Sequence, residues 1–149
     1  MYSKWKKGCI MDIAQVLRGK GFKVTPQRIA IYQTLIESKN HPTAEMIYQS
    51  LRVAHPTMSL ATVYKTMEIF EKIGLVKVLD VGDDCSRYDW DTNNHPHIRC
   101  TVCNKVEDLE GINMHEVSEM VETTSEYTVT GQQISFEGVC PMCLKKSSH

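Results

Sequence analysis

Two regions of different character meet at the stretch Asp89-Trp-Asp-Thr-Asn-Asn-His95-Pro-His97-Ile-Arg-Cys100-Thr-Val-Cys103-Asn-Lys-Val-Glu107-Asp108. Its twenty residues include two histidines, two cysteines and four carboxylates, all of them metal-ligand types. A Cys-x-x-Cys pair offers soft thiolates that suit zinc, whereas imidazoles and carboxylates suit a harder or borderline metal such as iron or manganese. The stretch therefore predicts two metal sites, one for structure and one for sensing.

Charge is divided unevenly along the 149-residue chain. Residues 1–80 hold 12 Lys and Arg against 6 Asp and Glu, a net of +6, whereas residues 81–149 hold 5 against 12, a net of −7. A basic half joined to an acidic half indicates that the first half meets a polyanion. Small proteins often have uneven charge as well, so the motifs have to decide between these interpretations.

The composition favours a cytoplasmic protein. No apolar run approaches the ~20 residues that a membrane helix needs, and Asp12 interrupts the apolar residues that follow the N-terminal lysines, which argues against a signal peptide. Residues 1–10 are expected to form a loosely attached lead. Four of the six cysteines form two Cys-x-x-Cys pairs, a pattern that favours metal over a secreted disulfide framework.

Residues 12–73 have the periodicity of four short helices. The first is expected to begin at Asp12 and to end at Gly19. Three good N-cap residues, Thr25, Thr43 and Ser59, mark the starts of the others. In the fourth helix, residues 60–73, the predicted inward face is Val63, Met67, Phe70 and Ile73, and the predicted outward face is Thr62, Lys65, Thr66 and Glu68.

After Gly74 the period changes to that of strands, predicted at 75–79 and 86–90 around a turn. Helices followed by a hairpin are typical of a winged helix, in which the fourth helix would enter the DNA major groove and the hairpin would be the wing. We therefore expect an α+β protein with a winged-helix DNA-binding domain at 1–90, a hinge at 91–94 and a small α/β domain at 95–149. The second domain is predicted to contain strands at 97–102 and 105–109, a helix at 113–123 and a strand pair at 127–130 and 133–139.

The two Cys-x-x-Cys pairs are the strongest motif. Each pair presents two thiolates on a tight knuckle, and two knuckles complete a tetrahedral zinc site. Disulfides and a redox Cys-x-x-Cys are the alternatives, and the doubled motif and cytosolic setting argue against both. The predicted structural zinc ligands are Cys100, Cys103, Cys140 and Cys143.

The histidines and basic residues are less specific. His95 and His97 lie at i and i+2 of an extended segment, so both could reach one metal, although isolated histidines are usually surface or capping residues. His41 alone looks like an ordinary residue before a helix. Lys23, Arg28 and Lys65 are either solvated charges or phosphate contacts. Tyr64 and Lys65 are both on the fourth helix.

Several motifs together resemble the ferric uptake regulator family over residues ~12–147. The matching motifs are Val24-Thr25-Pro26-Gln27-Arg28, His41-Pro42-Thr43-Ala44, Ser59-Leu60-Ala61-Thr62-Val63-Tyr64, His95-x-His97-x-x-Cys100-x-x-Cys103 and Cys140-x-x-Cys143. The resemblance implies a homodimeric, metal-dependent transcriptional repressor of operator DNA, not an enzyme. It also implies that the second domain dimerises.

Within that family the chain is most similar to the peroxide-sensing branch. The resemblance implies a regulatory Fe(II) or Mn(II) held by His41, Asp89, His95, His97 and Asp108. It implies that peroxide acting on the iron form oxidises His41 or His95 and ends repression. The winged-helix interpretation, separately, assigns DNA binding to Lys23, Arg28, Thr62, Tyr64 and Lys65.

Other functions remain alternatives at this point. Iron sensors of the family tend to carry Glu where this chain has Asp108, and zinc sensors can use a cysteine near Cys85. An iron- or zinc-responsive repressor is therefore the second hypothesis. Glu107 and Asp91 could replace Asp108 and Asp89 as ligands. A metalloenzyme is disfavoured because five protein ligands leave little room for a substrate.

Overall fold

The computed structural model describes residues 9–82 and 84–148, with side chains described from residue 13 onward. These residues form two compact units. The first unit comprises the described residues up to Val78 together with Arg87–Asp91, and the second comprises Leu79–Ser86 and the chain from Thr92 onward. Most of the predicted N-terminal lead lies outside the described residues, as does His149. The predicted domain boundaries stay a prediction.

Four helices build the first unit: α1 Cys9–Gly19, α2 Pro26–Glu37, α3 Ala44–Leu51 and α4 Leu60–Lys72. All three predicted N-caps are confirmed. The side-chain oxygens of Thr25, Thr43 and Ser59 each accept a backbone N–H three residues on, at 3.2 Å. Helix α1 begins three residues earlier than its periodicity predicted, at Cys9.

The core of the first unit lies between these helices. Ile13, Leu17, Ile31, Leu35 and Ile47 are essentially inaccessible to solvent. Helix α4 contributes its predicted inward face, with Val63, Met67 and Phe70 buried and Ile73 packed against them. One prediction for this helix was wrong: Thr66, placed on the outward face, is only 3% exposed. It adjoins Met67 and lies three residues from both Val63 and Ile69, so the buried stripe is wider than the apolar side chains indicate.

A two-stranded sheet follows, made of β1 Lys77–Leu79 and β2 Arg87–Asp89. This confirms the predicted hairpin. The tip of the hairpin, Leu79–Ser86, belongs to the second unit. Arg99 of that unit donates from Nε to the Val81 carbonyl at 2.8 Å and from Nη2 to the Gly82 carbonyl at 3.3 Å. Leu79 and Val81 form a small buried cluster with Val106.

The second unit is built on a three-stranded sheet of order β4–β3–β5, with β3 His97–Cys100, β4 Val106–Asp108 and β5 Ser135–Gly138. Strands β3 and β4 are antiparallel, and His97 lies opposite Asp108. Strands β3 and β5 are parallel, in a register that pairs Cys100 with Gly138. Two helices complete the unit, α5 Met114–Thr124 and α6 Pro141–Ser147.

Two features of the second unit differ from the prediction. Residues 127–130 do not form a strand, so the predicted strand pair was wrong and β5 pairs with β3 instead. The Val129 N–H donates to the Glu122 carboxylate at 2.7 Å, which satisfies a backbone group that a ladder would otherwise use. Helix α6 was not predicted, although Pro141 at its first position and Lys145 and Lys146 in its last turn are typical helix signals.

No helix in the part of the chain that the structure describes is long and apolar enough to span a bilayer.

Candidate metal centres

Four cysteines of the second unit lie together. Their sulfur atoms are all within 4.8 Å of one another. For a tetrahedral zinc with Zn–S bonds of about 2.3 Å, the sulfurs lie about 3.8 Å apart, and Sγ of Cys103 and Sγ of Cys140 are separated by 3.9 Å. Cys100 is the last residue of β3, and Cys143 lies in the first turn of α6. The donor set and its spacing therefore fit a tetrahedral all-thiolate zinc site.

The cysteines of this cluster are free thiols, because none of them forms a disulfide. The Cys140 backbone N–H donates to Sγ of Cys100 at 3.3 Å. N–H donation from Cys140 and then Cys103 lowers the pKa of the Cys100 thiol to about 6. The neighbouring Cys140 thiol and burial raise the pKa of Cys143 to about 12. Four ligands this close together favour their thiolate forms only when a cation is shared between them.

A second group in the same unit consists of His95, His97 and Asp108. Asp108 Oδ1 lies 3.0 Å from Nε2 of His95 and 3.2 Å from Nε2 of His97. The strand pairing explains this geometry, since His97 on β3 is directly opposite Asp108 on β4. His97 is buried at 2% exposure, and Pro96 before it is also fully buried. The structure thus brings together three of the five predicted regulatory ligands.

The orientation of His95 favours a cation at this position. Nδ1 of His95 lies 2.8 Å from the Asn93 carbonyl oxygen, which can only accept, so Nδ1 carries the proton. In the neutral ring Nε2 then has a lone pair, and it faces a carboxylate oxygen at 3.0 Å. Two electron-rich atoms at that distance need a proton or a metal ion between them. A backbone carbonyl that fixes the tautomer in this way is a common support for a metal-binding histidine.

Glu107 points away from this group. It is next to Asp108 on β4, and neighbouring strand residues face opposite sides of a sheet. Its carboxylate pairs with Nζ of Lys105 at 2.7 Å, which raises the pKa of the lysine. The geometry therefore favours Asp108 over Glu107 as the ligand.

The remaining two predicted ligands, His41 and Asp89, lie together in the first unit. Nδ1 of His41 is 3.6 Å from Oδ1 of Asp89. Both residues are buried, at 6% and 1% exposure. Oδ1 of Asp89 also accepts the Asp91 backbone N–H at 2.9 Å, which orients the carboxylate. A buried imidazole beside a carboxylate offers one nitrogen and one oxygen donor to a metal ion.

The residues predicted to contact DNA all belong to the first unit. Lys23, Tyr64 and Lys65 are exposed, and Lys65 and Tyr64 lie on α4. Three of the five have internal partners: Tyr64 contacts Glu45, Arg28 donates from Nη1 to the Lys23 carbonyl at 2.5 Å, and the Thr62 hydroxyl lies 3.0 Å from that of Ser59.

Tyr64 is linked to the preceding helix. Its hydroxyl donates to the carboxylate of Glu45 on α3. This hydrogen bond is the largest cause of the lowered pKa of Glu45. Sequence reasoning gave no role to Glu45, because a glutamate in the first turn of a helix is ordinary.

Comparison with known proteins accounts for this combination of helices, hairpin and cysteine cluster. Residues 19–137 match the ferric uptake regulator family. The chain belongs to that family. The peroxide-responsive repressor PerR of Staphylococcus aureus is 41% identical over 130 residues, which cover 87% of this chain and 88% of that protein.

Solved structures of the family share the fold. The GAS PerR-Zn-Zn structure is 30% identical, with a TM-score of 0.53. The match covers 91% of this chain and 87% of the chain in that structure. The Helicobacter pylori ferric uptake regulator Fur, 22% identical, has a TM-score of 0.79 and covers 91% of each chain. The predicted α+β architecture is confirmed: the chain has the fold of these family structures, in which an N-terminal DNA-binding domain precedes a C-terminal dimerisation domain.

Family membership also decides the class of protein. Members of the ferric uptake regulator family are transcriptional regulators and not enzymes. The metalloenzyme and redox-enzyme interpretations are thereby rejected. Neither candidate metal centre is therefore an active site.

Proposed function

We propose that this protein is a metal-dependent repressor that binds operator DNA as a homodimer and is released by hydrogen peroxide. The observation that carries the proposal is that the candidate nitrogen and oxygen ligands are divided between the two units. His41 and Asp89 belong to the first unit, and His95, His97 and Asp108 belong to the second. One ion that takes ligands from both groups would select a single arrangement of the two units, because it binds that arrangement better than any other.

The ligand types favour Fe(II) or Mn(II) for this regulatory ion. Three imidazoles and two carboxylates, with no thiolate, form a set of borderline and hard ligands. Cys85 is exposed and is outside both groups of metal-ligand residues found among the described residues. This supports an iron or manganese site over a zinc-sensing site that would use Cys85.

Peroxide sensing follows from the histidine ligands. An Fe(II) ion held by these ligands would activate hydrogen peroxide beside the rings, with no net electron taken from the iron. Overall, one peroxide molecule transfers one oxygen atom to a ring carbon of His41 or His95 and leaves as water. The oxidised ring is a poorer ligand, so its half of the site loses affinity for the ion. Mn(II) occupies the same ligands without this reaction, so the manganese form should stay bound to DNA.

The four cysteines are proposed to hold a structural Zn(II). A second unit of this size buries a small core, and a metal would make up the deficit in stability. The described part of that unit also exposes large apolar side chains: Ile112, Met120, Val121, Tyr127, Phe136, Val139, Met142 and Leu144. We propose that a second copy of the chain covers part of this surface in the homodimer.

The proposed contact with DNA uses helix α4. Lys65 and Tyr64 are exposed on it, and Lys23 lies before α2 in the same unit. The net charge of +6 over residues 1–80 supports an approach of this unit to the phosphate backbone. Lys23, Arg28 and Lys65 would contact phosphates, whereas Thr62 and Tyr64 would approach base edges.

The decisive experiment compares the Fe(II) and Mn(II) forms of the full chain after exposure to peroxide. Release of operator DNA is followed by fluorescence anisotropy, and peptides containing His41, His95 or His115 are weighed by mass spectrometry. We expect the iron form to release DNA and to gain the mass of one oxygen atom on His41 or His95.

His115 serves as the internal control, because it is exposed on α5 and is paired with Glu119 of the same helix. Equal oxidation of all three peptides would indicate nonspecific damage. Retained DNA binding by the oxidant-treated iron form, without oxygen on His41 or His95, would contradict peroxide sensing and favour an iron- or zinc-responsive repressor.

A further inference from the structure

Strand β2 holds the short segment before α3 at three consecutive positions. Nη1 of Arg87 donates to the His41 carbonyl at 3.5 Å, and the Tyr88 backbone N–H donates to the Pro42 carbonyl at 3.2 Å. Asp89 then faces the His41 ring, with Oδ1 3.6 Å from Nδ1. One strand therefore fixes both the backbone and the side chain of this histidine.

The backbone of His41 needs such support. Its φ of 46° is in the left-handed region, and among the described residues other than glycine only Asn104 shares a positive φ. This conformation is disfavoured for a residue with a Cβ, so surrounding contacts must stabilise it. On the other side of Pro42, Thr43 is fixed as the N-cap of α3. His41 is thus held between a helix start and a strand.

Arg87 is an unusual residue to find in this position. It is 7% exposed, and arginine is rarely so buried unless its charge is hydrogen-bonded. Besides the His41 carbonyl, its Nη1 contacts Sδ of Met46 on α3 at 4.0 Å. Arg87 and Asp89 lie two residues apart on β2, so both side chains leave the same face of the strand.

We propose that Arg87 is a positioning residue for the metal ligand His41. By holding the carbonyl oxygen, it keeps His41 in the left-handed conformation that directs the ring towards Asp89. The inference rests on the proposed function, because it assigns Arg87 to the regulatory ion's ligand group. Residues that orient a ligand in this way typically contribute a factor of about 10 to 100 in metal affinity.

The positive charge of Arg87 would have the opposite effect on metal affinity. A guanidinium close to a cation site repels the cation. If Arg87 acted only through its charge, replacing it with a neutral residue would tighten metal binding. If it positions His41, the same replacement weakens binding.

The test measures Mn(II) affinity of the full, zinc-loaded chain, using the electron paramagnetic resonance signal of free Mn(II). Arg87→Met keeps the length of the side chain but removes its charge and donors, and Arg87→Lys keeps a charge and a donor. Arg52→Met is the matched control, because Arg52 is an exposed cation of the same unit. We expect Arg87→Met to weaken binding about tenfold or more, Arg87→Lys to restore part of the loss, and Arg52→Met to change nothing.

A second readout separates positioning from general stability. In the Fe(II) form treated with peroxide, loss of the Arg87 contact should shift oxidation from the His41 peptide towards the His95 peptide. An unchanged ratio, or Mn(II) affinity that is equal or tighter in Arg87→Met, would overturn the proposal. If Arg87→Met does not fold, Arg87→Lys decides: affinity equal to wild type overturns the proposal, and weaker affinity with unchanged thermal unfolding supports it.

Failure of the proposed function would look different. It would be seen in the wild type, as absent Mn(II) binding or as binding that His41→Ala leaves intact.

Discussion

The two candidate metal centres differ in how the chain supplies their ligands. The four cysteines all come from one compact unit, where two knuckles close on each other. The proposed nitrogen and oxygen ligands are divided, with His41 and Asp89 in the first unit and the other three in the second. A metal held within one unit stabilises the fold of that unit. A metal shared by two units would instead control how they are arranged, which is what a sensor requires.

The strongest way to test this difference is to remove a cysteine. Cys100→Ser should lose zinc and unfold the second unit, because structural zinc contributes on the order of 10 kcal/mol to such domains. Zinc content and thermal unfolding measure the effect. Cys85→Ser is the matched control, since Cys85 is exposed and lies outside the cluster. A folded, zinc-free Cys100→Ser protein would show that the cluster does not hold the unit together.

Removing a proposed ligand of the regulatory ion from either unit should weaken Mn(II) binding but leave the zinc site intact. His41→Ala and His97→Ala should each weaken Mn(II) binding by at least about 100-fold while zinc content stays at the wild-type level, because a direct ligand contributes more than a residue that supports one. Mn(II) titration with parallel zinc analysis provides the measurement. If only His97→Ala had an effect, the ion would be held by the second unit alone. The two metal centres would then not differ in the way proposed.

Asp108→Glu should have a smaller and more selective effect. In the wild type, one oxygen of the Asp108 carboxylate lies 3.0 and 3.2 Å from two imidazole nitrogens. The added methylene displaces the carboxylate from this position by roughly 1.5 Å. We expect metal-dependent DNA binding to persist and the peroxide response to be blunted. DNA release at increasing peroxide concentration measures the change. Equal sensitivity of mutant and wild type would show that the aspartate at position 108 does not set the peroxide response.

Glu107→Gln should have the smallest effect. Its carboxylate faces Lys105 rather than the histidines, so neither Mn(II) affinity nor peroxide sensitivity should change. The same two assays measured for Asp108→Glu provide the comparison. A loss of Mn(II) affinity in Glu107→Gln would mean that the regulatory ion takes its carboxylate from the other side of β4.

The sequence predicted most reliably the features that depend on neighbouring residues. N-caps at Thr25, Thr43 and Ser59 are local, because each side chain bonds to a backbone group three residues away. The cysteine cluster was predictable because two Cys-x-x-Cys pairs in one small domain rarely form anything other than a zinc site. Helix α4 was found from its apolar stripe, yet Thr66 was misplaced since a polar side chain at the edge of a stripe carries no signal of burial.

Features that depend on distant pairing could not be read in the same way. Residues 127–130 have the composition of a strand, but strand formation requires a partner, and β3 pairs with β5 instead. The tip of the hairpin belongs to the second unit, where the Gly82 carbonyl accepts a hydrogen bond from Arg99, 17 residues away. For the regulatory ligands, spacing left His95 and His97 undecided and gave His41 no role. Family resemblance supplied the set, and Arg87 was missed because an arginine in a strand looks like a solvated charge.

The parallel pairing of β3 with β5 also sets an order of events during synthesis. Cys100 and Cys103 are synthesised before Cys140, and 36 residues separate Cys103 from Cys140. Until β5 has been made and has docked on β3, the first knuckle offers an ion only two of four thiolates. Closing so long a loop is slow compared with forming the helices of the first unit, whose contacts are more local. A nascent chain therefore has time to fold its first unit before it can retain zinc, and zinc capture reports that the second unit has been completed.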